Sequence, residues 1–497
     1  MWRQLTMQRL TAAILFILLF AMATRPPVDT DTWWHLRSGE HQITNLTVVK
    51  SDLFSHTKVG TPWTNHSWGS QNVMVLIYRG FGGHGEPGDG GNIGLALWTA
   101  LMATLGMYFV YRTCAGSVYI RAFAVVLGAA TAALFWSPRP QMFTFLFSTI
   151  VFYLLYSYKW QQVDRLWLIP VVMLFWGNMH AGFAIAFILM AGFIVGETVA
   201  HLFGPPTTAR LPWRGIRRIL IIMGISVLAL VINPFGLEML KVPFATLNIG
   251  VLQDFIQEWA APNFHQRQTW PFIFLLLGSL GFAALSSERI DWTDLALVTG
   301  TGFLALLSAR NIALFAVVAP PVLARHVDVF LKDRNWNLQP STRVSPTMAR
   351  INWIILILIG LVAAGKVVND LNPAQIRDAQ ITSLPVEVSA HINEARPDGL
   401  MFNSYNWGGY LMFASPDNPV YVDGRTDLYG DEFLSEYLRV IFLQEDYGPV
   451  FDKWAVDWVV IEAQGMLAAT LRADSDWQLT YEDDLAVLFE RKTIHEN

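Results

Sequence analysis

The sequence predicts an α-helical polytopic membrane protein of about eleven transmembrane helices, followed by an extracytoplasmic α/β domain at the C-terminus. Three observations predict it. Of 497 residues 53% are apolar and only 15% charged, whereas soluble globular chains carry about a quarter charged residues. Long apolar stretches recur as far as about Val368, each near the length with which a helix, rising 1.5 Å per residue, crosses a hydrocarbon core of about 30 Å. From Asn369 onward the composition becomes that of an ordinary soluble protein. Disordered, collagen-like and disulfide-framework classes are excluded, since the single cysteine, Cys114, has no second thiol to bond. The 20 tryptophans fit a chain that presents amphipathic rings to two membrane interfaces.

The apolar stretches centre on Leu10 to Thr24, Ile93 to Tyr111, Val118 to Trp136, Met142 to Tyr158, Leu166 to Trp176, Gly182 to Phe203, Ile219 to Ile232, Pro271 to Leu285, Leu295 to Leu307, Ile312 to Phe330 and Ile351 to Val368. The fifth and ninth are short. The first has the Arg3 and Arg9 flank and the Ala21-Met22-Ala23 end of a cleavable signal, but ten further spans make a retained helix the preferred reading.

Lys and Arg counts orient the chain. With the N-terminus in the cytoplasm, the inner side receives sixteen basic residues and the more extensive outer loops nine. An odd span count then puts the C-terminus outside. The expected organisation is a membrane domain over 1–368, with outer loops 26–91 and 233–270, and a soluble extracytoplasmic domain over 369–497. In the latter, Pro419 to Val422, Trp458 to Ile461 and Ala486 to Phe489 read as strands, and Glu432 to Gln444 and Gly465 to Arg472 as helices. The protein is thus expected in the cytoplasmic membrane, with membrane lipid and no nucleic acid among its partners.

Polar clusters other than basic anchors all fall on the outer side. They are Asp29-Thr30-Asp31-Thr32-Trp33-Trp34-His35-Leu36-Arg37, Ser137-Pro138-Arg139-Pro140-Gln141, Asn178-Met179-His180, Asp254 to Trp259 with Glu258, and Arg310-Asn311. Bundling of span ends would collect carboxylates, arginines, a histidine and amides in one outer cavity. Arginine forks and amide donors suit phosphate oxygens, and a carboxylate facing them accepts a proton from an attacking group. Such a set suits a phosphorylated, lipid-linked substrate. Each member also has a structural reading. Asp29 and Asp31 suit helix caps, Trp33 and Trp34 an interfacial belt, Arg139 a tie to carbonyls between two prolines, His180 an ordinary interfacial hydrogen bond, and Glu258 a solvated acid. Glu197, deep in the sixth span, is costly in lipid and is expected to snorkel or pair locally. Asn45-Leu46-Thr47 and Asn65-His66-Ser67 form sequons, with nothing in the chain to indicate their use.

These residues resemble a known pattern. Asp31-Thr32-Trp33-Trp34-His35-Leu36-Arg37 is similar to the D-P-W-F-x-Y-R stretch after the first helix of oligosaccharyltransferase catalytic subunits, members of the GT-C glycosyltransferase superfamily. Ser404-Tyr405-Asn406-Trp407-Gly408-Gly409-Tyr410, with Val422-Asp423-Gly424 downstream, resembles that family's S-W-W-D-Y-G-Y segment and its V-D. Phe255-Ile256-Gln257-Glu258 resembles its outer-loop glutamate motif. The chain also looks like a group of bacterial membrane proteins provisionally called glycosyltransferases, which share the Asp-x-Asp-x-Trp-Trp-His-Leu start.

The resemblance implies a GT-C-like fold and an inverting transfer of sugar from a polyprenyl-phosphate or -diphosphate donor to an exported glycan, lipid or protein. Asp31 would be the principal catalytic residue, with Glu258 and Asp29 beside it. Arg139, His180, Asn178 and Arg310 would bind the donor phosphate, and Tyr405 and Trp407 the acceptor. A divalent cation, Mg or Mn, on Asp31 and Glu258 is also implied. Two departures stand out. The second outer loop, Ser137 to Gln141, holds Arg139 and no acid where the family pattern has an acidic pair, and Asn406 replaces the family's aspartate. Both favour a simpler GT-C transferase of one sugar over sequon-directed transfer. The competing readings are a lipid-linked substrate transporter or flippase, disfavoured by nearly uncharged mid-spans, and a non-catalytic assembly protein that binds through its exported domain.

Overall fold

A computed structural model describes residues 5–205, 210–247, 250, 258–340 and 344–492. Arg3, Arg343 and the Asp254 to Gln257 part of the Glu258 motif lie outside the described residues. All eleven predicted stretches are helical: Met7–Ala23, Gly90–Thr113, Val118–Ala132, Gln141–Trp160, Leu168–Met179, Ala184–Phe203, Trp213–Leu230, Trp270–Leu285, Trp292–Leu307, Ile312–Asp333 and Pro346–Asp370. Among the described residues, seven helices are long and apolar enough to cross a membrane, fewer than the eleven full crossings expected. Leu168–Met179 has 12 residues, about 18 Å at 1.5 Å per residue. It stops where His180 turns to extended backbone, φ −168° and ψ 146°. Met7–Ala23 and Trp292–Leu307 are also short, and Trp213–Leu230 carries Arg214, Arg217 and Arg218 near its start.

The chain divides into two compact units, Met1–Arg25 with Leu97–Leu240 and Asp254–Asp370, and Pro26–Ala96 with Lys241–Gln253 and Leu371–Asn497. This partition differs from the expected 1–368 and 369–497, because the first loop belongs with the C-terminal segment.

In the helical unit, Ile312–Asp333 is the most enclosed helix and packs against Val118–Ala132, Trp270–Leu285 and Trp292–Leu307. Met7–Ala23 pairs with Pro346–Asp370 in parallel. At one end Asn352 Nδ2 donates to the Leu5 carbonyl (2.8 Å), and at the other Lys366 Nζ donates to the Thr24 carbonyl (3.3 Å). Glu197 is fully buried and pairs locally: Lys159 Nζ lies 2.5 Å from both Glu197 Oε1 and Asp291 Oδ1, and Thr293 Oγ1 donates to Glu197 Oε1 (2.8 Å). Arg325 pairs beside it with Asp294. An isolated charge would be expelled from such surroundings, so each acid there has a cation.

The second unit is built on a four-stranded mixed sheet of order β1-β2-β4-β3, with β1 Leu400–Asn403, β2 Val456–Glu462, β3 Trp477–Glu482 and β4 Ala486–Arg491. β1 runs parallel to β2, while β4 is antiparallel to β2 and β3. β2, β4 and the helices Thr426–Ile441 and Met466–Ala473 lie where the sequence predicts them. Pro419 to Val422 is not a strand of this sheet. Pro419 has no N–H to donate, and the run instead meets the first loop, Val420 N–H donating to the Phe54 carbonyl and His56 N–H to the Val420 carbonyl, both 3.1 Å.

The first loop and the C-terminal segment share one interior. Thr57 Oγ1 donates to the Tyr421 carbonyl (2.6 Å) and Trp63 Nε1 to Asp427 Oδ2 (3.0 Å). Fully buried Arg425 bridges Asp52 Oδ1 (2.6 Å, from Nη1) and Asp423 (2.8 Å from Nε, 2.6 Å from Nη2), with Phe54 and Trp63 rings against its guanidinium. Asn65 is also fully buried, its amide exchanging hydrogen bonds with Gln71 (2.7 and 2.9 Å), so the second sequon offers no accessible acceptor.

Arg425→Met keeps volume but leaves the Asp52 and Asp423 carboxylates buried without a cation. The expected loss is about 3–5 kcal/mol of stability, seen as a lower thermal midpoint of the purified full-length chain. An unchanged midpoint contradicts the assignment.

Candidate functional site

The candidate residues divide between the two units. In the helical unit, the turn between Val118–Ala132 and Gln141–Trp160 presents Arg139. Pro138 and Pro140 flank it, the Arg139 N–H donates to the Ser137 carbonyl (2.7 Å), and its carbonyl accepts from Met142 N–H (3.0 Å). The side chain is directed by Nε donating to Ser137 Oγ (3.2 Å), while Nη2 donates to Glu258 Oε1 at 2.6 Å. Glu258 is held in turn by its backbone, since its carbonyl accepts from Arg310 N–H (2.9 Å) and Ser308 Oγ (3.1 Å). Arg310 lies with its guanidinium 4.0 Å over the Trp259 ring. Burial opposes ionisation of Glu258, but the Arg139 guanidinium, aided by Arg310, more than reverses that and holds the carboxyl below its ordinary value. Among the described residues, two guanidiniums, those of Arg139 and Arg310, act on the Glu258 carboxylate, and forked cationic donors of this kind suit phosphate oxygens.

His180 joins this end of the unit through Thr144, on the first turn of Gln141–Trp160. Gly182 N–H donates to His180 Nδ1 (3.1 Å), so that nitrogen is an acceptor. The Thr144 hydroxyl therefore donates to it (2.8 Å) while accepting from Trp176 Nε1 (2.9 Å). This chain puts the ring proton on Nε2, the form that donates to an oxyanion. Asn178 is differently employed. Its Nδ2 donates to the Leu174 carbonyl (2.8 Å) and the Ile232 carbonyl (2.9 Å), tying two helix ends together, and so the expected phosphate role does not pass to it.

In the second unit, Asp31 opens the helix Asp31–Asn45. Asp29 Oδ1 accepts the Asp31 N–H (3.0 Å) just ahead of the helix, whose N-cap residue is Thr30. Asp31 Oδ1 accepts from Trp34 Nε1 (3.1 Å). The helix Tyr405–Ala414 packs against this helix, so the two motifs with a family resemblance meet. Close approach depends on glycines: a methyl on Gly424 would overlap the Asp31 carboxylate, and one on Gly409 would press on the Thr30 carbonyl and Trp34. Tyr405 is enclosed and its hydroxyl, 2.8 Å from Thr426 Oγ1, is pushed upward by burial and then by the Asp31 charge. Trp407 is only 3% exposed, inside the hydrophobic core, and cannot face an acceptor as expected. Asp423 serves the Arg425 pair.

The expected divalent cation does not fit the residues present. Glu258 is engaged by Arg139 and faced by Arg310, which would repel it, and among the described residues no group of three His, Cys, Asp or Glu side chains is placed to hold a metal. Thr144 was missed in the sequence, and Trp259 and Gly424 stood within the quoted Asp254 to Trp259 and Val422-Asp423-Gly424 runs without a role of their own.

No family model and no curated protein matches the sequence. Solved structures do. The archaeal oligosaccharyltransferase AglB from Archaeoglobus fulgidus, in complex with an inhibitory peptide and a dolichol-phosphate, matches with a TM-score of 0.57 at 12% identity, over 91% of this chain and 69% of that one. The apo Archaeoglobus fulgidus oligosaccharyltransferase matches at 0.56 and 13% identity, over 92% and 69%. ArnT from Cupriavidus metallidurans, bound to undecaprenyl phosphate, matches at 0.51 and 12% identity, over 97% of each chain. The chain has the fold of these solved structures, and among its described residues seven helices are long and apolar enough to cross a membrane.

Proposed function

We propose that the protein is a membrane glycosyltransferase that moves a sugar, with inversion, from a polyprenyl-phosphate or -diphosphate donor to an exported acceptor, and that it acts at the outer face of the cytoplasmic membrane. The observation that carries this reading is the Arg139, Glu258 and Arg310 cluster at the end of the helical unit that also holds Thr144 and His180, set in a fold whose solved examples were captured with dolichol-phosphate and undecaprenyl phosphate.

Arg139, Arg310 and the His180 Nε2 proton stabilise the phosphate as its bond to the sugar C1 breaks and negative charge grows on the leaving oxygen. Glu258 is a positioning residue, because its carboxylate is committed to Arg139. Asp31 orients the acceptor hydroxyl or amine and takes its proton as the new bond to C1 forms. Trp34 and Gly424 keep that carboxylate in place. Arginine supplies here the positive charge that a metal supplies elsewhere.

Asp31→Asn should reduce transfer of labelled sugar in reconstituted membranes by about 10²-fold or more, whereas Arg139→Ala should raise KM for the lipid donor and leave that for the acceptor. Wild-type transfer by folded Asp31→Asn protein removes Asp31 from the mechanism, and an acceptor-selective defect in Arg139→Ala removes the phosphate assignment.

Thr144→Val deletes the hydroxyl that fixes the His180 tautomer and is expected to weaken undecaprenyl phosphate binding about tenfold, with Thr144→Ser restoring it. Equal binding by both variants overturns the relay.

The lowered Glu258 carboxyl also sets a pH response. A group with a depressed folded pKa adds stability above its ordinary value, about 4.3, and loses it as pH falls through the folded value. The thermal midpoint should therefore hold down to that range and then fall, and Glu258→Gln should lessen the fall. An identical acid profile in the variant refutes the coupling.

A further inference from the structure

The helix Trp213–Leu230 buries one stripe, made of Gly215, Ile216, Ile219, Ile222, Ser226 and Leu230. A second stripe is exposed. It begins with Arg214, Arg217 and Arg218 and continues as Ile221, Ile225 and Leu228, which are 53%, 44% and 69% exposed. Spacings of three and four place these residues along one face.

The basic end is poor in counter-charge. Arg218 Nε lies 2.7 Å from Asp164 Oδ2, both partly exposed, and among the described residues the Arg214 and Arg217 side chains meet no acid. The Asp164 pair also brings in the start of the neighbouring helix, Leu168–Met179. The two helices run parallel, because Asp164 meets Arg218 at one end and Asn178 meets the Ile232 carbonyl at the other. Exposed Arg165 is therefore at the same end as Arg214 and Arg217. Four guanidiniums face one carboxylate there, beside two helix N-termini whose dipoles add further positive potential. Trp213, stacked 4.4 Å from His201 and more than half exposed, marks the level of a membrane interface.

Depth agrees with charge. From Arg218 to Leu228 is about 15 Å at 1.5 Å per residue, half of a hydrocarbon core of about 30 Å. The stripe thus has a cationic head and an apolar run one leaflet deep. It stands at the end of these helices opposite His180, so it is separate from the candidate donor-phosphate cluster and independent of the proposed transfer reaction.

The geometry points to a binding site for an anionic phospholipid of the bilayer, with its phosphodiester on Arg214 and Arg217 and an acyl chain along Ile221, Ile225 and Leu228. Charge complementarity selects the anionic class over zwitterionic lipid, and the apolar run selects a lipid over free phosphate.

The test is native mass spectrometry of the full-length chain released from micelles doped with phosphatidylglycerol or phosphatidylcholine of identical acyl chains. Wild type should retain phosphatidylglycerol in preference, and the double variant R214Q/R217Q should lose that preference by about thirtyfold, the combined effect of two arginines near an anionic headgroup. Arg289→Gln, a control outside the stripe, should keep it, and added inorganic phosphate should not displace the lipid. Equal retention of the two lipids by wild type, an unchanged preference in R214Q/R217Q, displacement by phosphate alone, or occupation of the stripe by a second copy of the chain would each overturn the site. If the double variant does not fold, Ile225→Ser decides with the wild-type lipid comparison: reduced phosphatidylglycerol retention supports the stripe, and unchanged retention refutes it.

Discussion

Arg425 lies without solvent contact between the carboxylates of Asp52 and Asp423, and the second unit is organised around that contact. Two acids and one guanidinium cannot be buried separately, because each would keep its full desolvation cost. They must arrive together, and they come from the first loop and the C-terminal segment, which are far apart in the chain. Gly424 sits between the two charged partners Asp423 and Arg425, and it is the residue whose missing side chain leaves room for the Asp31 carboxylate. The placement of the proposed acceptor base is thus a consequence of how a structural ion pair is closed.

The helical unit solves the same electrostatic problem at two ends of one helix. At the start of Gln141–Trp160, Arg139 and Arg310 meet Glu258 among the described residues. At its far end, about 28 Å away by helical rise, Lys159 is bracketed by Glu197 and Asp291. The second is saturated by its own acids and by Thr293, and it serves cohesion between helices.

Much of this was legible in the order of residues. All eleven apolar stretches became helices, since helix formation in an apolar run is a local matter of backbone satisfaction. Three short motifs pointed to Asp31, Glu258 and the segment at Tyr405, and two of them do pack together. Other expectations failed for reasons of partnership. Trp407 looked like a stacking surface and is core, and Asn178 looked like a phosphate donor and ties two helix ends. In each case the side chain is the right chemical type, but its polar atoms or its faces are already used.

By itself the sequence determined solvent class and local conformation, because hydropathy and helical periodicity are sums over neighbours in the chain. Even the charge imbalance, 26 basic against 16 acidic residues through Asn369 and 8 against 23 beyond it, is of this kind. Only the tertiary structure decided which charges meet, because ion pairs close between residues that no local window of the chain contains. Arg425 meets Asp423 two positions away, but its second acid, Asp52, comes from the first loop, and Arg139 meets Glu258 from a loop 119 positions further on.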